Sequence, residues 1–500
     1  MAQNSVIAAD PGAGWSRDFS RTFARQYTIG REVAVPDEHG WRRVDFAGLV
    51  LEHCPHLPVR RLSSATDGLE AALIGVAVDA RDATVGADSV LPDGGFGAFE
   101  AWLHGLAGRY VILAAHHGVR RLYLDAASDM AAVFDPRTGR VASSLLLALQ
   151  HGIEENPRAS WRERIKGGLG YAFGHTPDAH VRRMITNHRL DLDTLEQTRH
   201  WPAEGAAFEA PADVTAAARS IDRIVARLGA VVCALSRSHE CAMPLSGGWD
   251  SRGLLGSARK AGAGEMVHYT HVTNRMSGID AVATRRIAEV AGLNCDVIPA
   301  SDPRCAPMLS GTQARRVKWA YAHANGLQSF GPDERVRAVN AVVPAPELTL
   351  RGNIMDMTRA NQWPGDPDRA GIDQALGRLR LAPTREEAMA EWGEDYEAWM
   401  DTLPACAAPR FRDFAFTEQL LPNSTGGGFL LSMNRSFVMN PFNDRELIGL
   451  TLSFEPAFRR AGTLNRTLIA HADGQLSALP YTNQLKHEDE VHVQARQIAA

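Results

Sequence analysis

One short stretch of this chain carries residue types spaced for phosphate and metal chemistry. Ser246-Gly247-Gly248-Trp249-Asp250-Ser251 follows the apolar run Cys241-Ala242-Met243-Pro244-Leu245 and precedes Leu254 to Lys260, which ends at Ala261-Gly262. The apolar run has the form of a buried strand and the later stretch that of a helix, so the glycines occupy a strand-to-helix turn. Two glycines let bare N–H groups approach phosphate oxygens, and the start of the helix adds partial positive charge. Ser246 and Ser251 add hydroxyl donors. Asp250 makes physical sense beside a phosphate only with a cation between them, which points to Mg2+. Five specified residues at about 5–7% each recur by chance in roughly one chain in a thousand of this length. That rarity favours a ligand-binding loop over a plain glycine turn.

Strands alternate with helices around this loop. Val267 to Val272 has the pattern of the next strand, Asp280 to Val290 that of a helix, and Val297-Ile298 that of a third strand. The alternation predicts a doubly wound parallel sheet with its ligand at the carboxyl ends of the strands. Upstream, Val214, Ala218, Ile221, Ile224, Val225 and Leu228 recur at helical spacing and predict an amphipathic helix that feeds the loop strand. Ala203 to Ala207, with Pro211, reads as a linker and places a domain boundary near Ala206. Before it, Tyr110 to Leu113, the turn His116-His117-Gly118, Arg121 to Asp125, Met130 to Phe134, the turn Pro136 to Gly139 and Arg140 to Ser143 predict a β-meander.

Other chemistries lack support. No Gly-x-x-x-x-Gly-Lys-Ser/Thr occurs, and neither Gly94-Gly95-Phe96-Gly97 nor Gly168-Leu169-Gly170 completes a dinucleotide fingerprint. Ser257-Ala258-Arg259-Lys260 matches the Ser-x-x-Lys of penicillin-interactive enzymes without the accompanying Lys-Thr-Gly or Ser-Asp-Asn, and reads as the solvated face of the loop's own helix. The 500 residues, 45% of them hydrophobic, can bury two or three domain cores, which excludes a disordered or fibrous protein. A net charge of −5 sets up no basic field, so no nucleic-acid partner is expected. The six cysteines are scattered without a Cys-x-x-Cys pair, which suits a reducing cytoplasm. His53-Cys54-Pro55-His56 has no second ligand pair at finger spacing and reads as a surface turn. Met1 to Ser5 carries no signal-peptide pattern and no apolar run reaches spanning length, so a soluble, cytoplasmic protein with no membrane partner is expected.

Through Leu245 to Ser251, and through Asn440-Pro441-Phe442-Asn443-Asp444, which is similar to a Pro-Phe-Leu-Asp segment, the chain resembles the asparagine synthetase family. That family includes the β-lactam synthetases and lasso-peptide cyclases. The resemblance implies two α/β domains: residues 1–205 as a degenerate, β-rich glutaminase-like domain of the N-terminal-nucleophile sandwich type, and residues 206–500 as a doubly wound ATP-pyrophosphatase synthetase domain. It implies ATP and Mg2+. The family's second acidic segment falls on Arg351-Gly352-Asn353-Ile354-Met355-Asp356-Met357, which makes Asp356 the metal partner of Asp250 and puts Asn353 where the family has a catalytic Glu. An amide can orient a substrate but cannot take a proton. Lys486 stands where the family places a lysine that stabilises charge on the acyl-adenylate and the leaving phosphate; a solvated terminal lysine is the plain alternative. Arg351 has no family counterpart and offers a bidentate phosphate or carboxylate contact, or a surface salt bridge. Leu245, Val272 and Gly352 match positions that frame the adenosine, and are equally explicable as core or turn.

Two departures matter. Family glutaminases use a cysteine at the mature N-terminus, whereas residue 2 is Ala2 and the first cysteine is Cys54. Trp249 and Arg252 replace an aliphatic and a small residue. The expected activity is an AMP-forming, carbon–nitrogen ligase that joins a carboxylate to an amine other than glutamine-derived ammonia, as in lasso-peptide macrolactam formation or another biosynthetic amidotransfer. A leader peptide or carrier protein is a further expected partner. Two readings stand beside it: an adenylating tRNA-modifying enzyme, and a non-catalytic nucleotide-binding relic.

Overall fold

The computed structural model describes residues 19–85, 90–149, 152–158, 170–205, 208–305, 334–363, 377, 386–426 and 432–499. Ala2, Ala206 and Gly168-Leu169 lie outside them. The first part is built of strands β1 (Tyr27–Gly30), β2 (Arg42–Phe46), β3 (Leu49–His53), β4 (Val59–Ser63), β5 (Glu70–Asp79), β6 (Thr84–Val85) and β7 (Leu106–His116). There follow β8 (Val119–Leu124), β9 (Val133–Asp135), β10 (Arg140–Ala142), β11 (Arg182–Arg183), β12 (His188–Asp191) and β13 (Gln197–Arg199). They form two antiparallel sheets, one in the order β11-β9-β10-β1-β3-β2 and one in the order β13-β12-β8-β7-β5-β4, with β6 on β5.

Period-two alternation explains the layering. Ala72, Ile74 and Val76 of β5 and Val111 and Leu113 of β7 share a core with Tyr27, Ile29 and Leu51 of the other sheet. Their neighbours Ala71, Leu73, Ile112 and Ala114 face the opposite way, onto Phe99, Trp102 and Leu103 of α1 (Gly95–Leu103). The second sheet is therefore buried on both faces.

The expected meander divides into two hairpins. β7 and β8 pair across His117-Gly118, both at positive φ as a type I′ turn needs, while β9 and β10 pair across Pro136 to Gly139 in the other sheet. The chain changes sheets at Asp125, whose buried carboxylate accepts the N–H groups of Tyr110, Ala127, Asp129 and Met130. Those bonds hold the turn that separates β8 from β9.

The second part contains a parallel sheet of β14 (Cys241–Pro244), β15 (Val267–Val272), β16 (Cys295–Pro299), β17 (Leu348–Leu350) and β18 (Phe437–Met439), in the order β16-β15-β14-β17-β18. The order reverses direction between β14 and β17, which opens a crevice at their carboxyl ends. Helix α2 (Val214–Ser238) enters this sheet and runs past the predicted Leu228 because Val231, Val232 and Leu235 continue its buried stripe. Helix α3 (Trp249–Lys260) follows β14 and begins at Trp249 rather than Leu254, with Gly248 at its N-cap. The two helices cross closely at Gly229, where a Cβ would lie 2.5 Å from the Ser257 carbonyl. Helix α4 (Arg275–Ala291) starts earlier than Asp280 because Asn274 and Ser277 form a capping box.

The two parts interlock. Gly108 N–H donates to the Asn443 carbonyl at 2.9 Å and Arg109 Nη1 to the Val438 carbonyl at 3.1 Å, so β7 docks against the end of β18. Asp444 caps α5 (Arg445–Ser453) and pairs with Arg227 of α2 at 2.6 Å. Among the described residues no helix is long and apolar enough to cross a membrane.

Candidate functional site

The Ser246 to Ser251 loop sits at the carboxyl end of β14, on one wall of the crevice. Its shape is fixed internally: Ser251 Oγ donates to the Ser246 carbonyl at 2.8 Å and accepts from Ser246 N–H at 3.1 Å, while Gly248 N–H donates to Ser246 Oγ at 3.3 Å. Gly247 N–H donates to Asp280 Oδ1 of α4 at 2.9 Å, and Thr482 Oγ1 donates to the same oxygen at 2.6 Å. A Cβ on Gly247 would collide with that threonine hydroxyl and with Ala283 Cβ. Gly247 is required by this close approach. Burial raises the Asp280 carboxyl above its ordinary value, against the lowering effect of both hydrogen bonds.

Arg252 explains one of the unusual residues. The residue is 1% exposed and its guanidinium donates to the carbonyls of Gly247, Leu476, Leu479 and Pro480, with the Tyr481 ring 4.1 Å away. Trp249 packs edge-on against Tyr481 and over Gly462. The pair thus fastens a late segment of the chain beneath the loop, and the segment brings Thr482 onto Gly247.

The opposite wall comes from the residues after β17. Asn353 to Arg359 form a 3₁₀ helix that starts at Gly352. Three anchors hold it: Asn353 N–H donates to Asn440 Oδ1 at 3.0 Å, Arg459 Nη1 to the Met357 carbonyl at 2.9 Å, and Asn465 Nδ2 to Thr358 Oγ1 at 2.6 Å. Arg459 is itself held by a fully buried, two-point pair with Asp413. A Cβ on Gly352 would meet Asp250 atoms at 3.2 Å, so this glycine lets the two walls touch.

Asp250 and Asp356 are brought together, and a cation joins them. Arg359 donates to Asp250 Oδ2 at 2.8 Å and pairs with Asp356. Burial raises the Asp250 carboxyl, and Arg359 opposes the rise. Asp250 Oδ1 is buried without a hydrogen-bond partner. Two convergent carboxylates with an unsatisfied oxygen fit a hard divalent cation that also takes ligand oxygens from a phosphate. Among the described residues no group of three or more His, Cys, Asp or Glu side chains is placed to hold a metal.

The remaining residues expected from the sequence are distributed differently. Leu245 is buried and bonds the Tyr269 carbonyl, at the base of the loop. Val272 is 2% exposed and packs with Ile279, Val282 and Leu485, so its side chain belongs to the core rather than to an open pocket. Asn353 carries an exposed side chain. Lys486 is exposed and its carbonyl accepts from His492 at 2.9 Å; the residue placed on the loop from this segment is Thr482. Arg351 bonds the Met439 carbonyl through its N–H and its charge helps to depress His271. His271, at the end of β15, is lowered to about 4 chiefly by burial and is neutral at physiological pH. Neither His271 nor Arg359 lies in a motif, so spacing alone gave no signal for them.

No family model and no curated protein matches the chain. Among solved structures it aligns with glutamine phosphoribosylpyrophosphate amidotransferase from B. subtilis, complexed with ADP and GMP, at 11% identity over 69% of this chain and 73% of that one, with a TM-score of 0.23. A similarity of that size assigns neither fold nor family, and the family resemblance rests on this chain's own motifs.

Proposed function

We propose that the chain is an ATP- and Mg2+-dependent, AMP-forming ligase that joins a carboxylate to an amine. One observation carries the reading: the Ser-Gly-Gly loop and the Asp356 segment meet on the carboxylate of Asp250 where the parallel sheet reverses its strand order. In this reading the loop and the first N–H groups of α3 bind the β- and γ-phosphates. The substrate carboxylate attacks the α-phosphorus, pyrophosphate leaves, and the amine then displaces AMP from the acyl-adenylate. Asp250 and Asp356 are the residues that would hold Mg2+, which would supply charge stabilisation for the departing pyrophosphate. Arg252 and Thr482 position the loop, and Asn353 adds an exposed amide on the segment that carries Asp356.

The amine belongs to the same molecule as the activated carboxylate in this reading. The family resemblance favours attack by an amine carried on the substrate itself, as in macrolactam formation. Tethering makes such attack efficient, with effective molarities equivalent to roughly 7–11 kcal/mol of barrier. The N-terminal sheets act as a packing scaffold for the synthetase half. Carboxylate-dependent exchange of labelled pyrophosphate into ATP tests the reading. AMP and pyrophosphate are the expected products and D250N should abolish exchange; ADP as product, or exchange undiminished in D250N, overturns it.

A further inference from the structure

Arg359 belongs to neither motif that pointed to the site, yet it is the group that joins the two aspartates. Its guanidinium reaches Asp250, in the first turn of α3, and Asp356, which lies on the 3₁₀ helix after β17. Two carboxylates at one site repel and resist joint ionisation unless a cation lies between them. A guanidinium meets that need with a planar fork of donors, and while it bridges both carboxylates it fills the space through which a divalent ion would touch both.

The network is incomplete in a way that has a direction. On the acceptor side, Asp250 Oδ1 has no partner; on the donor side, Arg359 Nε is buried with none. A lone cation would satisfy the carboxylate oxygen and leave the guanidinium displaced with nothing to bond. A cation that arrives with phosphate oxygens satisfies both, since the phosphate accepts what the guanidinium releases. The three side chains are 24%, 43% and 30% exposed for Asp250, Asp356 and Arg359, so part of each faces solvent.

We propose that Arg359 is the resident counter-ion of the metal carboxylates, holding them together until a divalent cation enters with a phosphate ligand. This rests on the reading of the loop as a nucleotide site. Arg359 is then a positioning residue that makes metal and nucleotide binding mutually dependent, because each lowers the cost of the displacement the other requires.

Binding of Mn2+ to the full chain without nucleotide, followed by the electron paramagnetic resonance of the free ion, tests this apart from any activity. Wild type should bind Mn2+ weakly, R359Q at least about tenfold more tightly, and R359Q combined with D250N no better than wild type. Addition of ADP should tighten Mn2+ binding strongly in wild type and much less in R359Q. R359M gives the same comparison if R359Q does not fold, as judged by its unfolding midpoint. Equal Mn2+ affinity in wild type and a folded Arg359 variant overturns the proposal, as does a gain that survives D250N. A protein that shows the gain but never releases pyrophosphate keeps the role of Arg359 and loses the ligase reading.

Discussion

At the scale of single residues, the loop is specified by contacts that lie far away in sequence. Gly247 is kept side-chain-free by Thr482 and Ala283, so G247A should overpack this contact at a cost of about 1–3 kcal/mol. The same change should abolish nucleotide binding. Denaturant unfolding together with calorimetric titration of Mg-ATP measures both, and an unchanged midpoint with intact binding would refute the steric argument. The residues Ser246 to Ser251 were legible as a strand-to-helix turn because glycine backbone and two hydroxyls that bond within the turn stand in immediate succession. Thr482, Asp280 and Arg359 were not, because each reaches the loop or Asp250 from a separate element and is common on any surface. Lys486 illustrates the converse: family register pointed to it, but the short helix before it turns Thr482 toward the loop and leaves the lysine in solvent.

At the scale of elements, the 3₁₀ helix Asn353 to Arg359 depends on a buried ion pair that does no chemistry. Arg459 holds the Met357 carbonyl only because Asp413 holds Arg459, and both side chains are fully buried. R459M should therefore cost about 3–5 kcal/mol by leaving Asp413 charged and unpaired, and R459M with D413L should recover most of that loss. The recovery should restore stability without restoring metal-dependent nucleotide binding, since the Met357 carbonyl stays unheld. Urea unfolding of the two single variants and the double variant decides the matter. Strands β14 to β16 and helices α2 to α4 followed from apolar periodicity, since each buries one continuous stripe or run. The Asn353 helix did not, because its anchors are single polar contacts with no period.

At the scale of the molecule, the halves are joined by buried polar groups as well as by packing. Asn440 accepts from Asn353 N–H and donates to Asp129, while Asn443 donates to Asp125, so the β8–β9 crossing is linked directly to the site wall. Burial, and then the neighbouring Asp129, push Asp125 up to about 6. The folded protein thus holds this proton more tightly than the unfolded chain. The associated stability is fully present below the unfolded value near 4 and is lost as pH rises through 6. Wild type should lose on the order of 1–3 kcal/mol between pH 4 and 7 relative to D125N, measured by urea unfolding across that range. A difference independent of pH would show that Asp125 does not titrate there. The sequence pattern implied a scaffold of strands but not the division of the meander between sheets, since a turn made by one carboxylate leaves no periodic trace.

The four carbonyls on Arg252 also set an order in time. The ribosome delivers Gly247 and Arg252 long before Leu476 to Tyr481, a delay on the order of tens of seconds at typical elongation rates. Throughout that interval the arginine has only the Gly247 carbonyl, and the glycine loop lacks Thr482 beneath it. A nascent or prematurely terminated chain therefore carries the full Ser-Gly-Gly motif without the contacts that fix its shape, and the loop is braced only once Leu476 to Thr482 have been made.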